Sequence, residues 1–159
     1  MKKYALALAT VAPFALAGTA NAKDVGGKFG LGGEAFGGGA APAGLSLKYW
    51  ISDLGLQANL GLGINTLGPD TTHLGLGFHV LYNFARANDT NMYASGGINL
   101  GLIDSDSTVV ALRLGVEHFF TDHFSVGGHV GLGIDVGGDD VVVNLGNSSE
   151  WGTSFHFYF

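Results

Sequence analysis

From Phe124 to Val136 the chain reads FSVGGHVGLGIDV, and its apolar residues keep a rhythm of two. Phe124, Val126, Val130, Leu132, Ile134 and Val136 fall on one side, while Ser125, Gly127, His129, Gly131, Gly133 and Asp135 fall on the other. Alternation of this kind predicts a β-strand with one oily and one small or polar face. GLQANLGLGINTL (55–67) repeats it, with Leu56, Ala58, Leu60 and Leu62 against Gln57, Asn59, Gly61 and Gly63. HLGLGFHVLYNF (73–84) sets Leu76, Phe78, Val80, Tyr82 and Phe84 against Gly77, His79, Leu81 and Asn83. NMYASGGINLGLI (91–103) follows, and then TVVALRLGVEHFF (108–120), with Arg113 and Glu117 on the polar side. KFGLGGEAF (28–36), AGLSLKYWIS (43–52) and WGTSFHFYF (151–159) bring the predicted strands to eight. Glycine, 28 residues in all, recurs inside these stretches and argues against helices, since each interior glycine costs about 1 kcal/mol relative to alanine.

The segments between strands fall into two groups. SDL (52–54), ARANDTN (85–91) and TDH (121–123) are expected at one end, and GGGAAPA (37–43), GPDTT (68–72), DSDS (104–107) and GGDDVVVNLGNSSE (137–150) at the other. Residues 1–22 stand apart. Lys2 and Lys3, an apolar stretch from Tyr4 to Ala17 and the small-residue site Ala20-Asn21-Ala22 predict a secretory signal cleaved after Ala22, leaving one domain over 23–159. Cleavage removes two of the seven basic residues and none of the thirteen acidic ones, so the formal charge moves from −6 to −8. A nucleic-acid partner is excluded by that balance, because phosphate binding requires a basic stripe. Export permits disulfides, yet the chain has no cysteine, so burial and hydrogen bonds alone hold the fold.

Hydrophobic residues make up 47% of the chain and charged residues 13%, although no apolar run after residue 22 is long enough for a spanning helix. Strands with one face in lipid reconcile the two facts. In hydrocarbon every backbone N–H and C=O must be paired, so a sheet that spans must close. The fold expected is therefore all-β, an eight-stranded antiparallel up-and-down transmembrane β-barrel. A soluble barrel or sandwich is the structural rival, but its wet face would carry many more Lys and Glu than the glycine-dominated polar face here.

Three features resemble the small outer-membrane β-barrel proteins of Gram-negative bacteria, the group of the OmpA transmembrane domain and OmpX-like barrels. They are the aromatic stretch SFHFYF, with Phe155, Phe157 and Phe159 on one face, the stretch EHFFTDHFSVGGHVGLG (117–133), and the signal segment followed by eight alternating strands. The resemblance implies a location in the outer membrane, contact with its lipid and lipopolysaccharide, and a monomer. It also implies handling by periplasmic chaperones and by the barrel assembly machinery, which would read Phe155, Phe157 and Phe159 as its signal. The short-turn end would then face the periplasm.

An eight-stranded barrel has room only for side chains or a small cavity. The expected inward set includes Glu34, Lys48, Asn59, His79, Asn99, Arg113, Glu117, His129 and Asp135, whose charges must be paired if buried. The pairs expected are Glu34 with Lys48, and Arg113 with Glu117 or Asp135. A plug of ion pairs and amides gives a structural, envelope-integrity or surface-interaction protein. A narrow pore for ions or small solutes is the alternative, favoured by inward glycines that leave space. A lipid-A-modifying enzyme is a second alternative, resting on Ser154 and His156, which share the inward face. No catalytic site, cofactor or metal is expected, because the histidines have no ligand spacing. The loop acids Asp70, Asp104, Asp106, Asp139, Asp140 and Glu150 read as solvated charges, with a weak divalent-cation site at DSDS or GGDD as their sharper alternative.

Overall fold

The computed structural model describes residues 23–36, 44–65, 71–103, 108–136, 142–145 and 151–159. Residues 1–22, expected to be a signal segment, and the acids Asp70, Asp104, Asp106, Asp139, Asp140 and Glu150 lie outside them. Nine strands are formed: β1 (Phe29–Phe36), β2 (Gly44–Ile51), β3 (Leu54–Asn65), β4 (Thr71–Ala87), β5 (Thr90–Ile103), β6 (Thr108–Phe119), β7 (Phe124–Asp135), β8 (Val142–Leu145) and β9 (Trp151–Tyr158). They make eight staves, because β8 and β9 lie one after the other along the same edge of β7. Leu132–Asp135 pairs with β8, and Phe124–Val130 pairs with β9.

Each strand is antiparallel to its neighbours from β1 through β7, and β9 closes the ring by pairing with both β7 and β1. The last residue is held in this ladder, since Phe159 and Phe29 exchange both backbone hydrogen bonds, at 2.9 and 3.3 Å. Closure pairs the first and last staves over Gly30–Phe36 and Gly152–Tyr158, so through that height of the barrel each stave can satisfy its backbone from both sides.

The period of two sorts the side chains as the sequence predicts. Phe155, Phe157 and Phe159 point out, and His156 and Tyr158 point in. Leu56, Leu60, Phe78, Val80, Leu112, Leu114, Val126 and Val130 join the outward wall, whose exposed surface is apolar all round. In water such a surface would be an aggregation hazard. In lipid it is a solvated face.

Three expectations about the ends of the barrel are corrected. ARANDTN is mostly strand, with a turn of only Asn88 and Asp89 between β4 and β5, because Arg86 and Ala87 pair with Asn91 and Thr90. Part of GPDTT belongs to β4, and the long segment 137–150 contains β8, whose residues Val142–Leu145 extend the eighth stave. Tyr49 lies opposite Phe29 and Leu56 near the 52–53 turn, hence at the short-turn end. That turn has two residues between Ile51 and Leu54, and Ser52 takes a φ of 56°, the left-handed backbone that two-residue hairpins require. Arg86 fastens it by donating to the Ser52 carbonyl at 3.2 Å and pairing with the Asp53 carboxylate.

Candidate functional site: the luminal polar network

On β2, β6 and β9 the inward positions run from apolar at the short-turn end to polar further up, while β4, β5 and β7 carry the buried polar residues Asn83, Asn91 and Ser125 at that end. On β2 the order is Trp50, Lys48, Ser46; on β6 it is Phe119, Glu117, Gly115, Arg113; on β9 it is Tyr158, His156, Ser154. Hydrogen bonding around the ring holds these orders in step, so the lumen is layered.

The lowest layer is a hydrophobic cluster of Val25, Trp50, Leu81, Tyr93, Phe119 and Tyr158, all buried. Polar tips point up from it. The Trp50 indole Nε1–H meets the Tyr158 hydroxyl at 3.3 Å, and that hydroxyl donates to Glu117 Oε1 at 2.9 Å.

Glu117 is the centre of the next layer and is fully buried. Besides Tyr158 it accepts from Ser125 Oγ at 2.6 Å and from Lys48 Nζ at 3.4 Å, and His156 Nδ1 stands 3.6 Å from Oε1. A buried carboxylate requires such partners, since desolvation otherwise outweighs the attraction of a single cation. The Lys48 ammonium also lies 5.4 Å from the Tyr93 ring centroid, within range of a cation–π contact.

Above Glu117, Glu34 Oε1 lies 3.2 Å from His129 Nδ1, and its Oε2 accepts from Gln57 Nε2 at 2.8 Å. Gln57 Nε2 is also 3.0 Å from both Ser46 Oγ and Asn59 Oδ1. His79 Nε2 and Asn99 Oδ1 are 3.0 Å apart. Arg113 is buried on β6, opposite Ser95 and Gly131, and Asp135 is half-buried, beside Val109 and Val142 at the far end of β7. Of the expected inward residues, Glu34, Lys48, Asn59, His79, Arg113, Glu117 and His129 are therefore buried in the lumen, with Asn99 in contact with them.

The expected Glu34–Lys48 pair is replaced by Lys48–Glu117. Register is the reason: Glu34 stands opposite Gly44 and Lys48 opposite Gly30, so the two charges occupy different levels of one hairpin. Lys48 instead reaches across the lumen to β6. His156 likewise faces a serine other than the expected Ser154, with its Nε2 2.9 Å from Ser46 Oγ. Ser46, His156 and Glu117 have the residue types and order of a hydrolytic triad, but all three are fully buried, and the Glu117 carboxylate is shared with Lys48, Ser125 and Tyr158. Here the three form a clamp joining β2, β9 and β6.

Several inward glycines do not leave open space. A Cβ on Gly115 would lie 2.2 Å from the Tyr93 ring, and one on Gly97 would lie 2.4 Å from the His79 imidazole. Gly55 receives Trp50, and Gly30 receives Tyr158, each at 2.8 Å. These four glycines are notches for large side chains from the neighbouring stave.

The same ring of staves occurs in a solved protein. A crystal structure of the N-terminal β-barrel domain of Pseudomonas aeruginosa OprF matches with a TM-score of 0.57 and 19% sequence identity, over 83% of this chain and 96% of that one. The chain has the fold of the OprF β-barrel. No protein-family model matches the sequence, and no curated protein matches it. The likeness to the OprF barrel is one of fold. Among the described residues no group of three or more His, Cys, Asp or Glu is arranged to hold a metal ion.

Sequence reasoning missed the apolar floor of the lumen. Trp50 shares the parity of Lys48, Phe119 that of Glu117, and Tyr93 that of Ser95 and Asn99, so alternation carried the signal for these three. Val25 precedes the first strand, and no periodicity marks it.

Proposed function

We propose that this protein is an integral outer-membrane β-barrel of a Gram-negative envelope with a closed lumen, serving envelope integrity or surface interaction. The observation that carries the reading is the combination of an outward wall of apolar side chains with a lumen filled by Trp50, Tyr93, Phe119, Tyr158 and the Lys48–Glu117 pair. An apolar exterior over a polar interior inverts the plan of a soluble protein and matches that of a membrane barrel. The fold of the OprF barrel supports the same placement. Lipid and lipopolysaccharide are its surroundings in this reading, and a monomer suffices because the ring closes within one chain. Residues 1–22 direct export and are then removed by cleavage after Ala22. Chaperones and the assembly machinery deliver the barrel, with Phe155, Phe157 and Phe159 as the signal read.

A narrow pore is the second reading, favoured by Asn59 Nδ2, His79 Nδ1 and Asn99 Nδ2, which are buried without a protein hydrogen-bond partner in the upper lumen. Planar-bilayer recording separates the two. A closed barrel gives a quiet membrane at protein levels where gel analysis shows full insertion. Ohmic steps whose size changes in Lys48→Gln would replace the closed reading with the pore. For the lipid-modifying enzyme, the Ser46–His156 contact points into the lumen, away from lipid, so Ser46→Ala and His156→Ala are expected to leave the acylation of envelope lipid unchanged.

A further inference from the structure

The lumen's apolar floor contains one side chain that belongs to no stave. Val25 sits in the segment Lys23–Lys28 ahead of β1, yet it is 0% exposed and packed in the cluster of Trp50, Leu81, Tyr93, Phe119 and Tyr158. An aliphatic residue in a short irregular segment reaches full burial only if the segment is held over a socket. The holding contacts come from separate points around the mouth.

On one side, Gly27 N–H donates to the Trp50 carbonyl at 2.8 Å and Trp50 N–H donates to the Lys28 carbonyl at 3.2 Å, so the segment extends the β1–β2 ladder. Lys28 N–H closes a turn onto the Val25 carbonyl at 3.1 Å, and Gly27, with a φ of 77°, makes that turn without a side-chain clash. At the start of β5, Asn91 Nδ2 reaches the Lys23 carbonyl at 3.5 Å. At the β6–β7 turn, the Lys23 ammonium pairs with the Asp122 carboxylate and Lys28 Nζ donates to the Asp122 carbonyl at 3.3 Å.

We propose that residues 23–28 are a strap that closes the short-turn mouth of the barrel, with Val25 as a stopper seated in the Trp50–Leu81–Tyr93–Phe119–Tyr158 socket. The strap separates the Glu117 network from the solution on that side. Its seat is the apolar floor itself, which by geometry lies directly beneath the Tyr158 hydroxyl that binds Glu117. An apolar plug held by a few backbone hydrogen bonds and one ion pair at the mouth can leave with only the end of the β1–β2 ladder opening, at Gly27 and Lys28 against Trp50. The inference is independent of which membrane holds the barrel and of whether the upper lumen conducts.

Trp50 reports on the seat directly. The chain has two tryptophans, so Trp151→Phe leaves Trp50 as the sole indole. In that background, folded into vesicles, iodide and acrylamide quenching of Trp50 should be weak and its emission blue-shifted. Val25→Asp places a carboxylate in an apolar socket and should unseat the strap, raising the iodide quenching constant severalfold and red-shifting emission while the heat-modifiable gel mobility persists. Val25→Ser, a milder change, should give a smaller rise in the same direction. If either folded variant shows Trp50 quenching no greater than its parent, the strap does not seal the mouth. If neither variant folds, Val25 is part of the folding core and not a removable stopper, and the proposal falls equally.

Discussion

Lys48 Nζ lies 3.4 Å from Glu117 Oε2, and the pair joins β2 to β6 across a fully buried lumen. Around it, Tyr158, Ser125 and His156 supply the further contacts that a charged pair needs out of water. Four staves are thereby fastened through one carboxylate. The central polar layer is a structural element in the sense that a hydrophobic core is in a soluble protein.

Removing one charge of this pair leaves the other buried and uncompensated. Lys48→Met is expected to lower stability by about 3–5 kcal/mol, and Lys48→Met with Glu117→Gln to recover much of it, since the neutral amide keeps a carbonyl for Tyr158 and Ser125. Urea unfolding in lipid vesicles, followed by the folded and unfolded gel bands, measures both. Equal loss in the single and double variants would show that the pair is not what holds the layer.

Two glycines on neighbouring staves should behave oppositely. Gly115→Ala drives a methyl to 2.2 Å from the Tyr93 ring, and the overpacking is expected to cost about 1–3 kcal/mol. Gly96→Ala meets only Leu112 Cδ2 at 3.4 Å on the outward wall, and should be neutral or stabilising by less than about 1 kcal/mol. The same unfolding assay compares them.

The outward wall makes its own prediction. Leu112, 56% exposed and midway along β6, becomes in Leu112→Arg a cation in hydrocarbon, with an expected loss of about 2–4 kcal/mol in vesicles. In a water-soluble fold, arginine at so exposed a site would be tolerated, so unchanged stability would contradict the lipid-facing assignment.

At the β6–β7 turn, the Lys23 ammonium beside Asp122 holds that carboxyl below the usual carboxylate range. Because the folded value lies below the unfolded one, whatever the pair contributes is present above the unfolded value and lost as pH falls through the folded one. The pair is exposed and its contribution small. Carboxyl NMR should show Asp122 titrating below an ordinary aspartate, and moving up in Lys23→Gln. An unchanged midpoint in that variant would remove Lys23 from the strap's anchorage.

Much of this architecture is legible in the alternation, because a period of two is imposed at every position by lipid outside and polar contacts inside. It assigns Phe155, Phe157 and Phe159 outward and Glu34, Lys48, Arg113 and Glu117 inward before any pairing is known. Partnership is less legible, since it depends on register and on the shear that brings Lys48 to Glu117 across the lumen in place of Glu34. The filling of the lumen is hidden for a related reason. Gly115 and Gly97 look like empty space in a sequence, and only adjacency to Tyr93 and His79 reveals them as notches. Val25 carries no periodic signal, because its burial depends on a turn at Gly27 and on anchors at Trp50, Asn91 and Asp122.

The measurement that tests the central claim most directly is gel mobility of isolated membranes with and without boiling, for the natural chain and for a variant lacking Phe159. A closed lipid-embedded barrel should sediment with outer membranes and run at a different mobility unboiled, and loss of the Phe29–Phe159 backbone bonds should reduce that folded band. Recovery of the protein in the soluble periplasm, with one mobility whether boiled or not, would mean that the apolar face is an internal core and would contradict the account.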